Sequence, residues 1–261
     1  MNLSLEGKNA VICGSSQGIG LAIAQELALL GANCILLARS AKSLGTATNS
    51  LQSSFHQHHS FSVADFSKPS EVRKAIDMIT ANQTVHILVN NTGGPAAGPI
   101  AEAKEEDFLS AFNQHVINNQ LLVKAVLPGM KRRKFGRIIN VISTSVKIPI
   151  PNLGVSNTIR ASVASWAKTM ANELGQYNIT VNNILPGYTE TKRLDSLLST
   201  NAKKKKLTVE QMAQEMVKDI PMKRFGSPAE VAAVAAFLAS PAASYVNGTS
   251  IPVDGGRTGS I

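Results

Sequence analysis

A doubly wound α/β fold, one parallel sheet of seven strands with helices on both faces, is predicted by three features of the sequence. Short β-branched apolar runs alternate with longer stretches of helical periodicity, the pattern of βαβ units. A glycine-rich turn follows the first of these runs and opens the first helical stretch. The chain has 261 residues, 44% of them hydrophobic, enough for one sizeable core. Residues 1–261 therefore read as a single domain, with no internal repeat and no interdomain linker.

The elements follow in order. "NAVIC" (9–13) is the first strand and leads to a helix over 19–30; "NCILLA" (33–38) is the second, with a helix over 41–54. "SFSVAD" (60–65) precedes a helix over 69–81, and "HILVNN" (86–91) a long one over 104–133. "RIINVIS" (137–143) precedes a helix over 154–175. "TVNNILP" (180–186) and "TSIPVDGG" (249–256) flank a last helix over 228–239. Several helices are closed by Gly or followed by Pro, as expected where the helical hydrogen-bond ladder must stop. Only residues 190–220 break the alternation, with a Lys-rich helical excursion at the carboxyl end of the sheet, where a lid over a site would sit.

Composition excludes several functions. No window of 18 apolar residues occurs and "MNLSLEGKNAVICG" has no signal pattern, so a cytoplasmic protein without a membrane partner is expected. Cys13 and Cys34 lie inside apolar runs and read as buried free thiols, so neither a disulfide nor a metal site is expected. The net charge of +9 is partly local, in "KRRK" (131–134) and "KKKK" (203–206). Neither run is interleaved with aromatic residues, so no nucleic-acid partner is expected. On a lid, "KKKK" could attract a phosphorylated acyl carrier; the favoured reading is a solvated helix end.

The turn "CGSSQGIG" places Gly14, Ser15, Gly18, Ile19 and Gly20 between the first strand and the first helix. Glycines there allow a tight turn and bring backbone amides to a pyrophosphate at the positive end of a helix dipole, so dinucleotide binding is expected. Selectivity is read at the end of the second strand, "LLARS", where an NAD site would place Asp or Glu against the ribose 2′-hydroxyl. Arg39 stands there instead and can pair with a 2′-phosphate, with Ser15 or Ser40 as helpers. NADP(H) is favoured over NAD(H).

The GxxxGxG spacing joins "VNNTGG" (89–94), "RIINVIS" (137–143), "LPGYTET" (185–191) and "PVDGG" (252–256). Together these closely resemble the short-chain dehydrogenase/reductase family over essentially the whole chain, and the stretch from Pro221 to Gly256 is similar to the 3-oxoacyl-(acyl carrier protein) reductase branch. The resemblance implies a Rossmann-type fold, a nicotinamide cofactor and hydride transfer between nicotinamide and a carbonyl or alcohol. It also implies a homotetramer, built through the long helices of residues 104–133 and 154–175 and through the C-terminal "IPVDGGRTGSI" edge. Asp65 matches the adenine-contacting aspartate of the family and could also cap the helix that starts near Pro69. Asn90 and Gly93 match the cofactor-side loop, Pro186 and Gly187 the loop bordering nicotinamide, and Thr191 the carboxamide contact.

The family's catalytic tetrad is Ser, Tyr, Lys and Asn, and here it is altered. Ser143 matches the serine, but thirteen residues on comes Ser156 for the tyrosine, with Arg160 four beyond for the lysine. The asparagine position falls on His115, with Asn113 and Asn118 nearby. A serine hydroxyl is a far weaker acid than a phenol, and Arg160 keeps a lysine's charge but not its proton exchange. His115 is a candidate replacement acid, since an unperturbed imidazole titrates near neutrality, although a lone histidine in an amphipathic helix is more often structural; Lys147 and Tyr188 are further candidates, each more often a plain loop residue. Two functions follow. The favoured one is an NADP(H)-dependent reductase of a small-molecule carbonyl, such as a 3-oxoacyl thioester, with an atypical proton donor. The alternative is a catalytically impaired cofactor-binding relative acting as sensor or scaffold.

Overall fold

The computed structural model describes residues 1–260. Seven strands form one sheet: β1 (Asn9–Cys13), β2 (Asn33–Ala38), β3 (Ser60–Val63), β4 (Ile87–Asn90), β5 (Gly136–Val141), β6 (Ile179–Pro186) and β7 (Ser250–Val253). Their order is β3-β2-β1-β4-β5-β6-β7 and every pair is parallel, a Rossmann-type arrangement. Chain order reverses between β1 and β4, and the loops leaving these two strands diverge there to open a crevice.

Both faces of the sheet are covered, which explains the uninterrupted apolar strands. Ile12, Leu36, Val89 and Ile139 point to one face, under α1 (Gly18–Leu29), α2 (Ala41–Asn49) and α9 (Pro228–Ala239). Val11, Ile35, Leu88 and Ile138 point to the other, under α3 (Pro69–Asn82), α5 (Asn118–Arg133) and α6 (Gly154–Leu174). α4 (Glu105–Phe112), α7 (Lys192–Lys205) and α8 (Val209–Lys218) complete the set. Among the described residues no helix is long and apolar enough to cross a membrane. Cys13 and Cys34 are buried and unpaired, and burial pushes the Cys34 thiol up to about 12.

Three local readings need correction and a fourth, the helical excursion of residues 190–220, gains detail. The second helix ends at Asn49 rather than residue 54, because Ser50 turns its hydroxyl onto Ala47 O at 2.7 Å and a turn with left-handed His56 (φ 59°) follows. The long helix of residues 104–133 is divided: a π-helical turn, Asn113–Ile117, joins α4 to α5. The 190–220 excursion is a helical hairpin, α7 and α8, with its own small core of Leu194, Leu198, Met212 and Met216. Asp65 does not cap α3; its carboxylate accepts from Ser67 N at 2.9 Å, and Glu71 reaches back to Asp65 N at 3.0 Å.

The "KKKK" run forms the last turn of α7 and its left-handed C-cap, Lys206. Positive charge there complements the helix dipole, and Lys205 pairs with Glu215 on α8 at 2.9 Å.

Candidate active site

A cleft of about 710 Å3 opens at the carboxyl end of the sheet, bounded by the loops after β1, β4, β5 and β6 and by the starts of α6 and α7. Its floor is the glycine turn. Gly14 has φ 60°, and a side chain there would collide with the Asn91 carbonyl oxygen 2.5 Å away. Asn91 Nδ2 in turn donates to Cys13 O and Gly14 O, both at 3.2 Å, which ties the turn after β1 to the loop after β4. A Cβ on Gly20 would strike the Gly14 carbonyl oxygen, so α1 starts close against the turn.

Two helix starts converge here. The N-cap of α1, Gln17, and that of α7, Thr191, make no side-chain cap hydrogen bond, whereas α8 and α9 both begin with full capping boxes. The Thr191 methyl lies 3.4 Å from where a Gly18 Cβ would be, so the two sets of free amides face one space. That is the geometry of an anion site.

The flanking residues are placed as follows. Arg39 follows β2, exposed and in no ion pair among the described residues, and its charge is one of those that hold the Asp65 carboxyl below its usual range, after the Ser67 backbone. Neither lies on the cleft wall. Ser15 is fully buried: its hydroxyl donates to Ile12 O at 2.7 Å and accepts from Leu37 N at 3.1 Å. Ser15 is thus a tie between β1 and β2, which removes it as a helper for a 2′-phosphate. Asn90 is also turned into the sheet, donating to Asn140 Oδ1 at 2.8 Å. Ile19, Gly93, Pro186, Gly187 and Thr191 line the cleft.

Ser143, Ser156 and Arg160 meet on one wall of it. Ser143 follows β5 and caps a single turn, Thr144–Val146, accepting from Ser145 N at 3.1 Å. Ser156 and Arg160 lie one turn apart on α6, both buried. Arg160 donates from Nη1 to Val141 O at 3.2 Å. Burial, and then the Arg193 charge, lower its pKa to about 10, so it remains a cation at neutral pH.

His115 is not on that wall. It sits in the π-helical turn, 4% exposed, with Nδ1 at 3.0 Å from the Thr92 hydroxyl and no hydrogen-bond partner at Nε2. Burial, then the Arg160 charge, drive its pKa down to about 3, with the Gly93 backbone opposing. The ring is therefore neutral at neutral pH, so it does not titrate near neutrality as the sequence reading of a replacement acid assumed. Thr92 does line the cleft, so His115 reaches it through that hydroxyl. Asn113 is exposed, and Asn118 is tied to Phe66 O at 2.7 Å; neither they nor Lys147 line the cleft.

A family model described as enoyl-(acyl carrier protein) reductase, of the short-chain alcohol dehydrogenase type, matches residues 14–258. The chain belongs to the short-chain dehydrogenase/reductase family. It is 30% identical to the NADPH-dependent reductase BacG of Bacillus subtilis (strain 168), over 97% of this chain and 99% of that one. It is 34% identical to the 3-oxoacyl-[acyl-carrier-protein] reductase FabG of Vibrio cholerae, over 97% and 98%. The structure of L-sorbose reductase from Gluconobacter frateurii, complexed with NADPH and L-sorbose, superposes with a TM-score of 0.94 at 33% identity, covering 100% of both chains.

Within this short-chain dehydrogenase/reductase, Ser156 and Arg160 stand where the sequence pattern places the family's tyrosine and lysine. No phenol is supplied from α6. The phenol on the cleft wall is that of Tyr188, after β6, with Arg257 over its ring at 4.5 Å and donating to its hydroxyl at 3.3 Å. Thr92, Arg193 and Arg257 are wall residues that sequence reasoning missed. Each is a single polar residue beside glycines or in the lid, and no spacing rule marks it.

Proposed function

We propose that the chain reduces a small carbonyl compound with NADPH. The observation that carries this is the convergence of Ser143, Ser156 and Arg160 with the uncapped starts of α1 and α7 on one cleft. The residues present fit the cofactor: the free amides of Gly18 to Gly20 and of the α7 start suit its pyrophosphate, and Arg39 suits a 2′-phosphate. NADPH, when bound, supplies the hydride that the carbonyl carbon accepts. Thr191 would then hold the carboxamide.

This chain's own residues act on the carbonyl oxygen. Ser143 and Ser156 donate hydrogen bonds to it, and the fixed charge of Arg160 stabilises the alkoxide as it forms. The proton that completes the alcohol comes from solvent admitted to the cleft, and the Thr92 hydroxyl, held at 3.0 Å by Nδ1 of neutral His115, orients its delivery. 3-Oxoacyl thioesters, the substrate type named for the Vibrio relative, are the first compounds to assay.

The test is NADPH consumption with a panel of ketones, oxo acids and oxoacyl thioesters. Arg160→Met is expected to lower kcat by about 10²- to 10³-fold, the range for removing one preorganised oxyanion donor, with cofactor affinity measured alongside. If no carbonyl oxidises NADPH in the unmodified protein while NADPH still binds, the chain is the sensor or scaffold instead.

A further inference from the structure

The C-terminal turn "DGGRT" carries a guanidinium that the reduction chemistry above does not use. Arg257 lines the same cleft as Ser143, Thr144 and Ser156. It also lines an adjoining cavity of about 210 Å3 that shares Thr144 and Ile150 with the cleft. It therefore stands where the two spaces meet.

Its position is fixed from several sides. The Asp254 carboxylate holds the turn, accepting from Gly256 N at 3.0 Å and from Thr258 N at 2.7 Å, and so does not pair with the guanidinium. Gly187 N donates to Val253 O at 2.9 Å and Met222 N to Gly255 O at 3.2 Å, which fastens the turn to the loop after β6 and to the segment after α8. Tyr188, on which Arg257 stacks, is itself held edge-on by Phe225 at 6.2 Å and by Gly226 N donating to its carbonyl at 2.9 Å.

Held this way, the guanidinium still has unused donors. One goes to the Tyr188 hydroxyl, but Nε is buried without a partner, and Arg257 makes no ion pair among the described residues. A half-buried cation with idle donors is costly unless an anion completes it, and a planar fork suits a carboxylate. The small cavity favours one negative charge over two. Half of its lining residues are apolar, Ile148, Pro149, Ile150 and Pro151, and it contains Asp219, whose charge opposes a dianion such as phosphate about twice as strongly as a monocarboxylate.

We propose that Arg257 receives a carboxylate carried by the substrate, so that the compound reduced is a short oxo acid with its acid group free. The proposal rests on the reductase reading above. Arg257 anchors one end while the carbonyl lies against Ser143 and Ser156, and Asp219 with the apolar walls disfavours a second negative charge.

Calorimetric titration tests it on protein saturated with NADP+, so that the phosphate sites are already filled. The probes are acetoacetate and 4-oxopentanoate, each against its methyl ester. At least one acid is expected to bind about 10- to 100-fold more tightly than its ester, the range for a charge-assisted hydrogen-bonded pair. Arg257→Gln should bring that ratio close to one, and Arg257→Lys should keep part of it. Equal affinity for acids and esters in the unmodified protein overturns the proposal, and so does a preference that survives Arg257→Gln. Because the readout is binding, failure of the reductase reading shows separately, as absence of NADPH consumption with every carbonyl while the acid preference persists.

Discussion

At His115 the ring is 4% exposed, and protonation would place a second charge beside Arg160 with no water to solvate it. The sequence offered only a histidine in an amphipathic helix, which titrates near neutrality when solvated; burial was not legible from that pattern. Its folded pKa of about 3 lies below the ordinary 6.5, so between those values the unfolded chain binds a proton that the folded chain refuses. Stability is complete above about pH 6.5 and falls as pH drops toward 3. His86 adds to the same acid loss: its Nδ1 accepts from Asn9 N at 3.0 Å, which only an unprotonated nitrogen can do, and burial, then Lys8 and Arg133, lower it to about 4. We predict that urea-unfolding free energies measured across this range slope down with acid. His115→Asn should reduce the slope by one proton, about 1.4 kcal/mol per pH unit. An unchanged slope in that variant would mean that the folded ring is protonated too. Ser143, Ser156 and Arg160, by contrast, were legible as a group, because strand end and helix spacing fix them whatever their chemistry.

Across the sheet, one line of side chains runs from element to element. Asn90, Asn140, Asn183 and Ser250 are direct neighbours in register on β4, β5, β6 and β7. Asn90 Nδ2 donates to Asn140 Oδ1 at 2.8 Å, Asn140 to Asn183 at 2.9 Å and Asn183 to the Ser250 hydroxyl at 3.0 Å. The three asparagines are buried, so the middle one satisfies both neighbours. Asn140→Ala would strand Asn90 Nδ2 and Asn183 Oδ1 together, and is expected to destabilise the protein by roughly 2–5 kcal/mol, as two buried polar groups lose their partners. The check is the urea midpoint at unchanged slope; a loss under about 1 kcal/mol would mean water fills the gap. In sequence Asn140, Asn183 and Ser250 were visible only as members of strands, and Asn90 was read as a cofactor-side residue, whereas its side chain is spent on Asn140. Strand positions were legible because both faces of the sheet are apolar, giving runs such as "NCILLA" that no exposed helix would carry. The π-helical turn at Asn113–Ile117 was not, since one extra residue in a helix leaves the apolar period nearly unchanged. The end of α2 was missed for a similar reason: Ser50 stops the helix through its own side chain, a local competition that periodicity does not register.

For the molecule as a whole, the location of the cleft follows from topology alone, because a doubly wound sheet opens a crevice where its strand order reverses. The helical hairpin of α7 and α8 was legible as an interruption of the alternation, and its internal packing was not. The same topology leaves surfaces that a lone chain does not cover. Leu109 is 64% and Phe112 40% exposed on α4, and the outer face of α6 presents the small residues Ala161, Ser165 and Thr169 at helical spacing, which lets another helix approach closely. At the far side of the sheet, β7 is an edge strand left half-buried, with Tyr245 fully exposed just before it. Two separate faces, each pairing with its own counterpart on another copy, would generate closed dihedral symmetry, so we predict a homotetramer. Light scattering at micromolar concentration should give four times the chain mass of 27.6 kDa. Ser165→Arg with Leu109→Arg should reduce that to a dimer, because a buried unpaired guanidinium opposes close helix packing while the β7 face is untouched. A single-chain mass for the unmodified protein would refute the assembly, and a tetramer that survives both arginines would move its interface away from α4 and α6.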